Sequence, residues 1–297
     1  MALFRRGPEK AHETLVAEFA QHAFAQHGRP AQIMQGVGLD DIDIMVGVSV
    51  YPLHNLILKT RGVTGKDLQR EVSTHVESLL RAEREPKGDQ LTPDALRQQI
   101  RTRILANSTD PLMTPAYSRP VAPGLSAALN VDFPETVSTV SDEMLPHLAL
   151  PPDELYLLGQ ANVDRELVDE RSTLDHGIRL LGGGSLFIAS KFLNLPHLHE
   201  TEFGAAPHGL VFALPHRSLA LVKVLDHESV AAIQAMVNLT LNIASGQLGG
   251  TPGGLLSDGL YYWNGGVEID QIGSRDRAGE YGIRGDGRFL DALNASA

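Results

Sequence analysis

The sequence predicts an α+β protein with mixed, mainly antiparallel sheets, flanking helices and two lobes. Three observations predict it. Helical periodicity recurs over 9–27, 65–84 and 226–245. Short alternating or apolar runs at 42–50, 127–132, 210–214 and 219–224 read as strands. The two kinds of segment interleave without the strict βαβ rhythm of a doubly wound sheet.

In order along the chain, Leu15, Phe19 and Ala23 recur every four residues, with Val16, Ala20 and Phe24 beside them, and Gly28 and Pro30 stop that helix. Segments 31–36 and 42–50 form a hairpin, with Gly36, Gly38, Asp40 and Asp41 supplying the turn. Residues 52–60 and 65–84 are helical, with Leu56, Val72, Val76 and Leu80 facing inward. A helix over 93–106 starts at Pro93, a good first-turn residue, and sets Arg97 and Arg101 on one solvated face. Residues 110–126 carry four prolines and no period, so they are assigned as a linker between lobes 1–109 and 127–272. Helices at 140–146 and 151–163, one or two strands in 166–181 and a helix at 185–194 follow. The clearest strands, 210–214 and 219–224, are joined by Pro215-His216-Arg217-Ser218. Asp226 caps the apolar helix behind them. A glycine-rich loop at 246–254 and strands at 259–263 and 266–271 close the fold, and residues 273–297 form a loosely ordered tail.

The chain has 297 residues, 42% of them hydrophobic, enough for one large core or two smaller ones. A net charge of −11 argues against a nucleic-acid partner and against anchoring on anionic lipid. The lack of cysteine excludes disulfides, thiolate nucleophiles and cysteine-type zinc sites, and suits the cytoplasm. Arg5 and Arg6 precede no apolar run of the signal-peptide type, and no apolar stretch reaches membrane-span length.

Five segments taken together resemble domain-of-unknown-function family 1444, the YtpQ-like bacterial proteins. They are Val46 to Leu56, Ala128 to Pro134 with Thr136 to Val140 and the helix at Leu155, Ile188 to Leu193, Val211 to Val222, and Tyr261 to Gly266. Their collinear order spans roughly residues 35 to 270. The resemblance implies an intracellular bacterial protein and carries over no catalytic residue. The triple glycine before Ser185 and the histidine-rich stretch 197–208 depart from the family's pattern.

Three groups of residues are candidates for chemistry. His197, His199 and Glu200, with His208 nearby, combine imidazole and carboxylate in a way that suits zinc or another divalent metal. On an extended segment, His197 and His199 would share a face, although their spacing is not that of the metalloprotease helix. The plainer reading is a polar loop. Gly182, Gly183, Gly184 and Ser185, between a strand and a helix, could offer backbone N–H groups to an anion. A permissive turn capped by Ser185 explains the same residues. Arg217, at the hairpin tip, could hold a carboxylate or phosphate bidentately, or make a structural ion pair. Trp263, the sole tryptophan, reads as a core or rim packing residue. No Gly-x-Ser-x-Gly elbow is present, and adjacent Asp175 and His176 make poor dyad geometry.

The leading expectation is a non-catalytic cytoplasmic protein-binding or scaffold protein without a resident cofactor, engaging another protein through a groove or sheet edge. The alternatives are a metal-dependent hydrolase built on the histidine cluster and a small-anion or nucleotide sensor.

Overall fold

The computed structural model describes residues 8–35, 42–47, 49–108, 114–246, 254–276, 278–284 and 287–297. The predicted turn at 36–41 and most of the glycine-rich loop, residues 247–253, lie outside them. The chain divides into two compact units, Met1–Glu85 and Pro86–Ala297. The boundary therefore falls in the charged stretch after residue 84, ahead of the proline-rich segment.

The first unit holds α1 (Pro8–Gln26), β1 (Ala31–Gln35), β2 (Ile42–Val46), β3 (Ser49–Pro52), α2 (His54–Lys59) and α3 (Gly65–Ala82). Its strands form an antiparallel sheet in the order β1-β2-β3. Helix α1 buries Val16, Ala20 and Phe24, the row beside the one led by Leu15, which stays exposed. Leu68, Val72 and Val76 recur every four residues along α3 and pack with them, as does Leu56 of α2. The expected α+β character with antiparallel sheets is already present here.

The second unit continues with α4 (Pro93–Gln99), β4 (Ile100–Ala106), β5 (Arg119–Ala122), β6 (Leu125–Asp132), β7 (Val137–Thr139), α5 (Pro152–Asp164), β8 (Glu170–Thr173) and β9 (Arg179–Gly182). A 3-10 segment, Ala189–Asn194, leads into α6 (Leu195–Leu198) and a π turn, His199–Phe203. Then come β10 (Leu210–His216), β11 (Leu219–Val224), α7 (Ser229–Ala244), β12 (Leu260–Trp263), β13 (Asp270–Arg275), β14 (Tyr281–Ile283) and α8 (Gly287–Ser296). One sheet has β4 on one side of β6 and both β5 and β7 on the other. The larger sheet runs β14-β13-β12-β10-β11-β9-β8, antiparallel throughout.

Strand β10 is buried on both faces, which explains its unbroken apolar run. Leu210, Phe212 and Leu214 join a core with Phe192, Leu198 and Ile104. Val211 and Ala213 join another with Met236 of α7 and Phe289 of α8.

Several expected elements are corrected. The predicted helix 93–106 stops at Gln99 and continues as β4, because Ile100, Thr102 and Ile104 alternate with arginines. Arg101 thus leaves the helix and pairs with Glu166 at 2.9 Å and Asp132 at 3.4 Å. In place of a helix at 140–146 there is one 3-10 turn, Leu145–His147. Residues 119–122 of the expected linker are strand β5. The expected loose tail contains β14 and α8, held by Phe289, whose ring lies 5.3 Å from Tyr262. The α7 cap position is Glu228, and Asp226 acts two residues before it, accepting from the Glu228 N–H at 2.9 Å.

Helix α5 lies directly on β4 at Gly159. A Cβ there would sit 2.8 Å from the Thr102 nitrogen and 2.9 Å from the Arg101 carbonyl carbon. In a free helix, Gly→Ala gains up to about 1 kcal/mol. Here the sign reverses: Gly159→Ala is expected to destabilise by about 2 kcal/mol through overpacking. Denaturant unfolding checks it, and a gain in stability would show that the helix can lift off the strand.

Candidate binding groove

The predicted site residues are placed apart from one another. The glycine loop is surrounded by acids. Gly184 N–H donates to the Asp169 carboxylate at 3.1 Å, and Gly183 lies so close that a Cβ would meet the same carboxylate at 2.8 Å. Ser185 Oγ donates to Glu166 Oε2 at 3.0 Å and accepts from Phe187 N–H at 3.2 Å. A cavity beside Gly184 and Ser185 also presents Asp132 and Glu135. Burial raises the Asp132 carboxyl, against the pull of Arg101. An anion at Gly182 to Ser185 would meet this negative field.

The histidines are separated by helical geometry. Residues 195–203 run through α6 and the π turn, where the extended reading required a strand. Leu195, Leu198 and Phe203 are buried and hold the segment helical. Side chains two apart on a helix diverge by roughly 200°. His197 accordingly lines a charged pocket with Lys191 and Glu202, whereas the His199 ring packs 5.8 Å from Trp263. Glu200 is exposed, and His208 contributes its carbonyl to the Tyr262 hydroxyl at 3.0 Å. Among the described residues no group of three or more His, Asp or Glu is placed to hold a metal ion.

Arg217 sits at the β10–β11 tip, half-buried, and its carbonyl accepts from Ala189 N–H at 3.0 Å.

The second unit holds a groove of about 550 Å³. Helix α5 supplies Tyr156, Leu157 and Gln160 on one side. Trp263 at the end of β12, with Val267 and Ile269 beyond it, forms the other. Phe192 and Ala127 lie along the base. Tyr156 is fixed by its hydroxyl, which donates to the Ala127 carbonyl at 3.1 Å, and by Arg119, 3.7 Å above its ring. Burial pushes that hydroxyl up to about 12, Arg119 pulling the other way. Trp263 Nε1 donates to the Gly266 carbonyl at 2.6 Å, which holds the indole in place.

Polar side chains near the base bond to one another. Thr102 Oγ1 donates to Gln160 at 2.6 Å, Gln160 to Asp164 at 2.7 Å, and Asn194 to the other Asp164 oxygen at 2.6 Å. The groove is left with an apolar, aromatic lining. Leu157 is 76% exposed and Val267 fully exposed at its rim, a combination that marks interaction surfaces.

No family model, no curated protein and no solved structure matches the chain. The groove residues are therefore identified by their geometry alone.

Sequence reasoning singled out Trp263 only as a packing residue and passed over Tyr156, Leu157 and Val267. One signal was available: Leu157 is apolar on a helix whose Leu155 and Val163 fill the core.

Next to the groove, Glu202 receives a two-pronged bond from Arg171, at 2.9 and 2.8 Å, which holds its carboxyl below the ordinary 4.5. A depressed carboxyl contributes stability above its unfolded pKa and loses it as pH falls through the folded one. The thermal stability gap between the wild type and Glu202→Gln is expected to be full near about pH 7 and to close below the ordinary carboxylate range. A gap constant with pH would show that the pair contributes nothing.

Proposed function

We propose that this chain is a non-catalytic binding protein whose groove, between α5 and the β12–β13 connection, takes an apolar segment of a partner protein. The observation that carries the reading is the groove itself: about 550 Å³, lined by Tyr156, Phe192 and Trp263, with Leu157 and Val267 exposed at the rim. Tryptophan, tyrosine and arginine are the residues in which binding energy concentrates at interfaces. Two features favour a peptide segment over a polar small molecule. The groove's Thr102, Gln160 and Asp164 groups are bonded to each other. Its rim side chains extend the apolar surface outward. We place the protein in the bacterial cytoplasm, where a chain without cysteine loses no cross-link to reduction. The net charge of −11 disfavours a nucleic-acid partner.

Selection of a random-peptide library on the immobilised full chain tests this. The enriched peptides are expected to share large apolar residues. Leu157→Asp and Val267→Asp should each weaken their binding about tenfold or more, a loss of about 1.4 kcal/mol. Both side chains are exposed, so stability should change by less than about 0.5 kcal/mol. No enrichment, or enriched peptides that bind the Leu157→Asp/Val267→Asp double variant as tightly as the wild type, would overturn the reading.

A further inference from the structure

The cavity lined by His197 encloses about 220 Å³ beside the C-terminal end of α5. Its walls also carry Lys191, Arg171, Asp164, Glu166 and Glu202. It shares no lining residue with the peptide groove. Most of its charged groups are already matched. Arg171 and Glu202 take each other in two bonds, and Glu166 takes Arg101 and Ser185. Asp164 takes the side-chain amides of Gln160 and Asn194. Lys191 is the exception.

Lys191 is only 6% exposed. Among the described residues it makes no ion pair, and its Nζ bonds only main-chain groups, the Val163 and Asp164 carbonyls at 3.1 and 2.9 Å. Lys223, also buried, has a counter-ion in Asp226 at 2.7 Å. A lysine taken out of water without a paired charge is pushed toward its uncharged amine. The carboxylates of Asp164, Glu202 and Glu166 oppose this. Burial outweighs them, with Arg171 adding to it, and holds Lys191 below the ordinary 10.5. An uncharged amine has two N–H donors, and the two carbonyls take both. What remains on the tetrahedral nitrogen is its lone pair, on a side chain that lines a cavity.

We propose that Lys191 is a carbonyl-capturing amine, whose Nζ condenses with a small uncharged aldehyde or ketone in this cavity to form an imine. The Nζ lone pair bonds to the carbonyl carbon, and the C=O π pair moves onto oxygen, giving a carbinolamine. Both amine protons pass to that oxygen, which leaves as water. The C=N bond remains, and no oxidant or reductant is consumed. Uptake of one proton from solvent gives the iminium, whose N–H points back to a carbonyl at the negative end of the α5 dipole. The cavity sets the ligand class. Its volume is below the roughly 300–1,000 Å³ of sites for drug-sized ligands, which limits it to small molecules. Asp164, Glu166 and Glu202 repel an anionic carbonyl compound. The site lies apart from the peptide groove and stands if that reading fails.

Reductive trapping on the wild-type full chain tests it. Acetone with sodium cyanoborohydride fixes the imine as a stable secondary amine, and peptide mass spectrometry gives the rate at each lysine. Lys66 and Lys87, both exposed, serve as internal standards. Near about pH 7, each unit by which an amine's pKa falls raises its reactive fraction about tenfold. Lys191 is expected to label about tenfold faster than either standard, and to lose that advantage in concentrated guanidinium chloride. A rate equal to theirs or lower would overturn the proposal, and is what a lysine buried for packing alone gives. An advantage that persists in the denaturant would also overturn it, since it would belong to the local sequence and not to the cavity. Pyruvate, a ketone that carries a carboxylate, tests the ligand class. Its rate at Lys191, divided by its rate at Lys66, is expected to fall below the same ratio for acetone. An equal or higher ratio would overturn the assignment to uncharged carbonyl compounds.

Discussion

Helix α5 can rest on β4 only because residue 159 has no side chain. At that point the helix meets the strand backbone, with no room for even a methyl group between Gly159 and Thr102. Close contact fixes both the height and the rotation of the helix. Tyr156 then reaches the Ala127 carbonyl on β6, Gln160 reaches Thr102 on β4, and Leu155 turns into the core. Leu157 has nowhere to go but outward. One wall of the groove is thus a consequence of a single close backbone approach, in an interior that tolerates little change of volume.

The same helix anchors the charges around it. Its C-terminal carbonyls, at Val163 and Asp164, receive Lys191 from the 3-10 segment, a favourable end of the dipole for a cation. Just beyond, Glu166 takes Arg101 from β4 and Ser185 from the glycine loop. The Asp164 side chain takes Gln160 and Asn194. Polar groups near the groove are satisfied among themselves, which keeps them in place and leaves the lining apolar.

Elements with an unambiguous period were legible in the sequence. The β10–β11 hairpin, α3 and the long helix α7 fall within a few residues of their expected limits. The segment 93–106 was not, for a physical reason. Leu96, Ile100 and Ile104 are spaced by four and mimic one face of a helix, yet the last two are inward positions of a strand. All three are buried, so burial is common to both readings and the backbone decides. The C-terminal helix carried a readable signal in Phe289 and Leu293, obscured by the glycines around it. The helical course of the histidine stretch is set by Leu195, Leu198 and Phe203, which are buried, and the histidines themselves do not signal it. The groove depends on residues distant in sequence, so no local pattern could assemble it.

Because Trp263 is the sole tryptophan, it reports on the groove without interference. Biosynthetic replacement by 5-fluorotryptophan gives one fluorine resonance, from the wall opposite α5. If the groove holds an apolar segment, a saturating apolar peptide that binds the protein will move that resonance. A peptide that binds tightly and leaves it unmoved would contradict the account, since Trp263 lines the groove.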